Sequence, residues 1–180
     1  MDRIRKEFKI DDIFDIYTGA TIRQNELWIW DIPRITATDT KNGVGLFTSR
    51  LNHKNYRVLE NCITISFLGS VFYQKNQVSL DIKIHAVKIK EKELNNYIAL
   101  FLIPFLKSFA LKYSYWYQLS TSVLKSQKLL LPVTKLEQPD WNFMENYIKN
   151  REEKILKKTI PYFENKPQKL IEGGGKHLKR

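Results

Sequence analysis

The sequence is poor in the residues that form disulfides and metal sites. It contains one cysteine and three histidines in 180 residues. Cys62 has no partner for an internal disulfide, and its place in the apolar stretch Cys-Ile-Thr-Ile predicts a buried thiol in a reducing compartment. His53, His85 and His177 lie far apart, and no Cys/His cluster has metal-ligand spacing. We therefore predict no metal site.

Glycine-rich loops and long apolar runs are also scarce. The seven glycines are dense only at Gly173–Gly175, so no dinucleotide-binding or phosphate-binding loop is predicted. The longest apolar run, Tyr97–Leu106, is too short to span a bilayer and contains Pro104. The first twelve residues mix both charge signs without the apolar core of a signal peptide. These features predict a cytoplasmic protein that does not enter a membrane.

Acidic residues are few relative to basic ones. The 30 Lys and Arg residues exceed the 19 Asp and Glu residues, which gives a formal charge of +11 and a pI near 9.6. Such a charge favours a polyanionic partner, and the 13% of aromatic residues can stack on bases. Nucleic acid is therefore the leading candidate. The 43% of hydrophobic residues are enough for a folded core.

Apolar periodicity predicts a mixture of strands and helices. The alternating stretches 61–67 and 80–89 predict strands, joined by a hairpin connection over 69–79. Helical spacing over 91–113 predicts a buried helix that Pro104 kinks or divides. A short helix over 120–127 and an extended segment over 129–133 follow.

The segments before residue 50 give weaker signals. Residues 8–17 predict a short strand or a turn of helix. The β-branched stretch 27–40 predicts a strand that is an edge or is broken at Pro33, because proline lacks the amide that a ladder needs. Asn42-Gly43 predicts a turn before another extended segment.

A long amphipathic helix is predicted near the C-terminus. Asp140 is a good N-cap, and Pro161 predicts that the regular helix ends near Ile160, about 30 Å away. The apolar face docks on the helix's own domain or on a second, similar helix, and spacing alone does not choose between them. Its predicted seam comprises Trp141, Met144, Ile148, Arg151 and Ile155. The predicted domains are a recognition domain over 1–138, a spacer helix over 139–164 and a basic, disordered tail over 165–180.

Candidate DNA contacts lie in three places. Cations can neutralise phosphates or bind guanine edges, Asn and Gln amides can pair with adenine edges, and aromatic residues can pack against bases. The alternative for each is a solvated surface residue or, for the aromatic residues, core filling. The cations in or beside the early loops are Arg23, Arg34, Lys41, Arg50, Lys54 and Arg57. The candidates in the hairpin connection are Tyr73, Gln74, Lys75, Asn76 and Gln77. The candidates in the aromatic cluster over 113–119 are Tyr115, Trp116 and Gln118.

A nuclease site has little support. Pro139-Asp140 and Glu152-Glu153-Lys154 loosely imitate the acid-x-Lys pattern of metal-dependent nucleases. Both lie on the predicted helix, where Asp140 is a cap and the others are solvated. No catalytic residue is predicted.

The order of several segments resembles a known family. The segments are IPRITATD with a following NG, NCITISFLGSVFY, LDIKIHAVKI, LFLIPFL, YSYWYQL with LKSQKLLLPV, and PDWNFMENYIK. The most specific pieces are Ile32-Pro33, Ile65-Ser66 with Gly69-Ser70, Leu124-Lys125 with Leu131-Pro132, and Asp140-Trp141 with Met144-Glu145. Over roughly residues 6–160 the chain resembles a target recognition domain of the specificity subunits of type I restriction-modification systems.

The resemblance implies an α+β recognition domain with a twisted, partly antiparallel sheet, followed by a long dimerisation helix that pairs antiparallel with a second copy. It implies a non-catalytic subunit that binds double-stranded DNA and holds DNA methyltransferase subunits. S-adenosylmethionine and magnesium are expected only on partner subunits, and a translocating restriction subunit can join.

This chain has one recognition domain where a usual specificity subunit has two. It is therefore expected to be a half-subunit, forming a homodimer or pairing with another half-subunit, or a fragment of a longer chain. Arg151 is expected to pair across the helix interface with Glu145, Glu152 or Glu153. The rival hypothesis is a protein-interaction module, a decoy or inhibitor that engages the methyltransferase without reading DNA.

Overall fold

The computed structural model describes residues 3–22, 31–49, 56–110, 112–113 and 117–164. Within these ranges the chain forms ten strands and four helices. The strands are β1 (Arg5–Lys9), β2 (Phe14–Thr18), β3 (Ile32–Ile35), β4 (Val44–Thr48), β5 (Val58–Leu59), β6 (Cys62–Ser66), β7 (Val71–Gln74), β8 (Val78–Leu80), β9 (Ile84–Ile89) and β10 (Lys128–Pro132). The helices are α1 (Ile10–Ile13), α2 (Asn96–Ala110), α3 (Thr121–Ser126) and α4 (Trp141–Glu164).

The described strands are distributed over three sheets. A four-stranded antiparallel sheet, here called the central sheet, has the order β2-β9-β6-β7. A second sheet has the order β4-β3-β8-β5, in which β3 and β8 are parallel. Strands β1 and β10 form an antiparallel pair. The predicted α+β class is confirmed, although we had expected one sheet.

The central sheet is covered on both faces. Alternate residues of β6, such as Ile63 and Ile65, belong to a core cluster that includes Ile98 and Leu102 of α2. The residues between them point to the other face, where Cys62 packs in a cluster with residues of the second sheet. Because both faces are buried, all five residues of β6 are buried. The fold therefore has a helix layer, the central sheet and the second sheet.

The stretch 80–89, predicted as one strand, belongs to two sheets. Strand β8 ends at Leu80, and a turn over 81–83 leads into β9. The amide of Ile84 donates to the carbonyl of Asp81 at 3.0 Å, which closes the turn. Ile82 lies in this turn and is exposed. In the sequence it continues the alternation of apolar and polar residues, so the pattern alone does not show that the strand is interrupted. The single-strand prediction is therefore wrong, and the predicted hairpin connection 69–79 likewise contains β7 and the start of β8.

Two prolines lie inside regular elements. Strand β3 lies between β4 and β8, and Pro33 pairs with Phe47 at a point that β8 does not reach. At Pro33 the strand therefore pairs on one side only, which agrees with the predicted edge position, whereas Arg34 pairs on both sides. Pro104 lies inside α2, which continues as one helix, so the predicted division is wrong, and the alternative of a kink stays a prediction.

Helix α4 begins as predicted and ends later. The amide of Phe143 donates to the Asp140 carboxylate at 2.9 Å, which confirms the N-cap. The helix passes Pro161 and ends at Glu164, so the predicted end near Ile160 is wrong. Among the described residues, no helix is long and apolar enough to cross a membrane.

The chain divides into two compact units, residues 1–148 and 149–180. The first unit includes the first two turns of α4, because Met144 is fully buried in its core and Trp141 packs edge-on to Phe14 at 6.4 Å. The described part of the second unit is residues 149–164 of α4, and each of these residues is exposed. The predicted tail over 165–180 lies outside the described residues.

Candidate nucleic-acid interface

Arg34 is not on the surface, so its predicted contact with DNA is corrected. It lies in β3 with 1% of its surface exposed. One guanidinium nitrogen, Nη2, donates to the carbonyl of Ala20 at 2.6 Å and lies 3.4 Å from the Asp81 carboxylate. A buried charge needs such partners, and breaking them would be costly, so Arg34 has a role inside the fold.

Two chain segments approach each other at one end of the central sheet. The first is the turn Lys41–Gly43, and the second is the end of β7, from which the loop over 75–77 continues. The side-chain amide of Asn42 donates to Oε1 of Gln74 at 3.1 Å, and Nε2 of Gln74 donates to the Asn42 carbonyl at 2.9 Å. Gln74 also donates to the Thr64 hydroxyl at 3.2 Å. We call this reciprocal pair, Asn42 with Gln74, the amide clamp.

The amide clamp corrects the role predicted for Gln74. Only 4% of its surface is exposed, and its side-chain amide is used inside the protein. It cannot pair with a base without breaking the clamp. The neighbours Lys75, Asn76 and Gln77 are exposed, as is Lys41 beside Asn42. Gln74 therefore positions two exposed tips and does not belong to their surface.

The turn held by the clamp has an uncommon backbone. Lys41 and Asn42 have φ values of +49° and +54°, in the left-handed region that most residues avoid. Gly43 follows with φ +80°, and a side chain there would meet Phe72 at 3.2 Å. Such strain persists only where surrounding contacts maintain it. The clamp supplies those contacts and keeps Lys41 at the tip.

Tyr73 is also held by internal bonds. Its hydroxyl donates to Oδ1 of Asn61 at 3.0 Å, and the Asn61 amide donates to the Glu93 carboxylate at 2.8 Å. Burial raises the pKa of Tyr73, with further increases from Cys62 and Glu93. These bonds fix the Tyr73 side chain, which is half-buried, and its contact with DNA stays a prediction.

The exposed residues of the two tips form the candidate interface, which we call the tip surface. The cations of this surface can bind phosphate oxygens, and its amides can donate to and accept from base edges. The tip surface comprises Lys41, Lys75, Asn76 and Gln77.

The segment 117–119 is fixed to the turn after β6. The amide of Leu119 donates to the Phe67 carbonyl at 3.3 Å, and Nε2 of His85 lies 3.0 Å from the Leu119 carbonyl. A carbonyl only accepts, so Nε2 carries the proton. The His85 ring stacks on Phe67 at 4.7 Å. Burial lowers the pKa of His85, and the bond to Leu119 opposes this effect. His85 is thus a buried support for the segment that carries the exposed Gln118.

Some supporting residues were missed by the sequence analysis. Asn42, Asn61 and His85 act through partners that are distant in sequence. Their local signals were a turn dipeptide at 42–43 and a histidine inside an apolar strand, and neither identifies a partner.

Arg57 belongs to the described residues and is exposed. Several other predicted contacts lie outside the described residues. These residues stay predictions. They are Arg23, Arg50, Lys54, Tyr115 and Trp116.

The predicted helix seam is divided between two environments. Met144 is fully buried in the first unit, so its prediction as a dimer contact is corrected, whereas Trp141 is half-buried and its contact stays a prediction. Ile148 is half-buried, whereas Arg151 and Ile155 are exposed. Arg151 and Ile155 are therefore the seam residues most exposed to solvent.

The only cysteine in the sequence is chemically protected. Cys62 is buried in β6, and burial raises the pKa of its thiol to about 12, although Lys88 opposes the rise. The thiolate is the nucleophilic form, and this environment disfavours it. Among the described residues, no three His, Cys, Asp or Glu side chains are grouped as metal ligands would be.

The sequence and the fold have counterparts in known proteins. Residues 5–161 match the family model of the type I restriction modification DNA specificity domain, and the chain belongs to that family. The sequence is 31% identical over 156 residues to S.BcgI, the specificity subunit of a type II restriction enzyme from Heyndrickxia coagulans. The match covers 85% of this chain and 45% of that relative. The predicted resemblance is confirmed.

Solved structures share the fold at low sequence identity. The type I S subunit from M. genitalium has a TM-score of 0.56 and 16% identity, with 86% of this chain and 41% of that one covered. HsdS from Thermoanaerobacter tengcongensis has a TM-score of 0.59 and 12% identity, with 84% and 38% covered. The chain thus spans less than half the length of these relatives.

Proposed function

We propose that this chain is a DNA-recognition domain of a restriction-modification specificity subunit and that its tip surface contacts the duplex. The observation that carries the proposal is the amide clamp. It holds two exposed tips together by reciprocal bonds of 3.1 and 2.9 Å. The excess positive charge and the family membership support a nucleic-acid ligand.

The tip surface has both kinds of group that sequence-specific recognition needs. Lys41 and Lys75 suit phosphate oxygens, which fix the protein's position on the duplex. Asn76 and Gln77 suit adenine edges in the major groove. The exposed Gln118 and Arg57, and the predicted contacts outside the described residues, extend this set of proposed contacts.

The chain acts in this proposal without catalysis of its own. Its relative S.BcgI is a specificity subunit, and the buried Cys62 is unsuited to nucleophilic chemistry. A methyltransferase subunit would dock on the chain and supply S-adenosylmethionine chemistry, and a restriction subunit that requires magnesium can join. The complex would act on cellular DNA in the cytoplasm.

Pairing of α4 completes the proposed function. Residues 149–164 present Ile155, Leu156 and Ile160 with 48–62% of their surfaces exposed. An apolar helix face of this kind is stabilised by a second helix. A two-fold pair of chains would read two inverted half-sites, and the helices would set the distance between them.

Selection of bound sequences from a random duplex pool tests the proposal. The full chain is used with its methyltransferase partner present, at two salt concentrations. A bipartite inverted motif supports the paired half-subunit, whereas a single block supports one recognition domain of a longer chain. Salt-dependent binding without any motif contradicts DNA reading and favours the protein-interaction module.

A further inference from the structure

A groove separates α2 from the first two turns of α4 in the first unit. It encloses about 380 Å³. Its walls include Leu100 and Phe101 of α2 and Tyr147 and Ile148 of α4. Leu100 and Tyr147 are 52% and 42% exposed, so large apolar surfaces face solvent there. Exposed apolar surface of this kind commonly marks an interaction site.

The walls of the groove are held by aromatic contacts. Phe101 stacks on Phe105 at 5.4 Å and meets Tyr147 edge-on at 5.8 Å. Arg3 lies over the Phe143 ring at 4.3 Å and pairs with Asp140. A site with walls already in place needs little reordering on binding. The rim also carries Arg5, so an occupant with an apolar body and a negative end fits best.

The end of α4 has this chemistry. Tyr162 and Phe163 are each 65% exposed, and the exposed Glu164 follows as the last helical residue. The last turn of a helix also carries the negative end of its dipole. These three residues offer two aromatic side chains and a negative end.

The charges of the second unit favour an antiparallel pair of helices. Glu152 and Glu153 precede Ile155, and Lys157 and Lys158 follow it. Two antiparallel helices centred on Ile155 place each glutamate opposite a lysine of the second copy. Parallel helices in register would place like charges together. The ion pair between Glu153 and Lys157 within one helix, at 2.6 Å, is compatible with this alternation.

The same register determines what lies opposite the groove. It places Tyr162 of the second copy opposite Ile148, and Phe163 of the second copy opposite Tyr147. Ile148 and Tyr147 both line the groove. We propose that the groove receives Tyr162–Glu164 of a second copy, with Phe163 between α2 and α4 and Glu164 beside Arg5. The inference rests on the helix pairing in the proposed function, and two-fold symmetry makes both grooves equivalent.

Sedimentation equilibrium of the full chain tests the proposal. Leu100→Glu and Phe163→Ala should each raise the dimer dissociation constant about tenfold or more, because they remove a buried apolar contact. Ile82→Glu is the matched control, since Ile82 is 49% exposed on the turn before β9 and does not line the groove. It should leave the constant unchanged.

Charge exchange gives a second, more specific test. Arg5→Glu and Glu164→Arg should each weaken the dimer, and the chain carrying both should recover most of the affinity. Circular dichroism should show equal helix content in all variants. A double variant no tighter than the single ones overturns the proposed contact.

The remaining outcomes separate this inference from the proposed function. If Ile155→Glu abolishes the dimer while Leu100→Glu and Phe163→Ala leave it intact, the helices pair but the groove is empty, and the inference is overturned. If the unmodified chain is monomeric at every concentration, the helix pairing and the groove contact both fail. DNA selection tests the tip surface separately.

Discussion

The two halves of α4 have similar apolar spacing but opposite environments. In the first half, Met144 is fully buried in the core of the first unit. In the second half, Ile155 is 62% exposed. A helical stripe therefore does not reveal whether it contributes to folding or to assembly. The end of β7 shows a similar division, with buried Gln74 next to exposed Lys75 of the following loop.

The largest predicted effect separates the two halves of α4. Met144→Ala should lower the free energy of unfolding by about 2–5 kcal/mol, because it leaves a cavity in a packed core. Ile155→Ala should change the stability of the monomer by no more than about 0.5 kcal/mol. Urea unfolding at low protein concentration measures both. Equal losses would show that the second half of α4 also belongs to the core.

A smaller effect is expected at the amide clamp. Gln74→Ala should cost about 1–3 kcal/mol, since it removes three hydrogen bonds of the buried Gln74 amide, two to the exposed Asn42 and one to the buried Thr64 hydroxyl. It should also weaken DNA binding, because Lys41 loses its fixed position. The matched variant Lys75→Ala should weaken DNA binding with stability nearly unchanged. If Gln74→Ala unfolds at the same urea concentration as the parent chain, the clamp is not a support.

The helix cap should contribute less. Asp140→Ala should cost about 0.5–2 kcal/mol, because it removes the acceptor for the Phe143 amide. It also removes the ion pair with Arg3. Asp140→Asn is the control, since asparagine keeps a capping oxygen and loses the charge. If Asp140→Ala unfolds at a higher temperature than Asp140→Asn, the capping role is contradicted.

The smallest predicted effect concerns pH. Burial holds the pKa of His85 below its ordinary value of 6.5, so the unfolded chain binds a proton more readily than the folded one. The contribution of His85 to stability is therefore complete above about pH 6.5 and is lost as the pH falls toward the folded pKa. His85→Gln should flatten this part of the pH profile, measured by urea unfolding between pH 5 and 8. If stability still depends on pH with the same slope in His85→Gln, other groups cause this dependence.

Local features were predicted well from the sequence. The Asp140 cap, the turn at Asn42-Gly43, α3 and β10 depend on neighbouring residues, and the structure has each of them. Burial depends on distant partners. Arg34 is paired with Asp81, 47 residues away, and no local pattern distinguishes it from a surface cation.

The candidate site shows the same limit. The sequence indicated that the loop after β7 carries suitable polar groups, and Lys75, Asn76 and Gln77 are exposed there. It did not indicate that β7 extends to Gln74 or that Gln74 faces Asn42, because both depend on the register of β6 with β7. A shift of one residue in that register would exchange the buried and exposed side chains.

The central claim is that the tip surface reads bases, and a comparison of selected sequences tests it most directly. The chain is compared with a variant in which Lys75, Asn76 and Gln77 are replaced by serine while Gln74 is kept. Each lost base contact should cost about 1–3 kcal/mol, and the preference should relax at one or two adjacent positions of the site. An unchanged motif, with equal affinity and equal salt dependence, would contradict DNA reading by this loop.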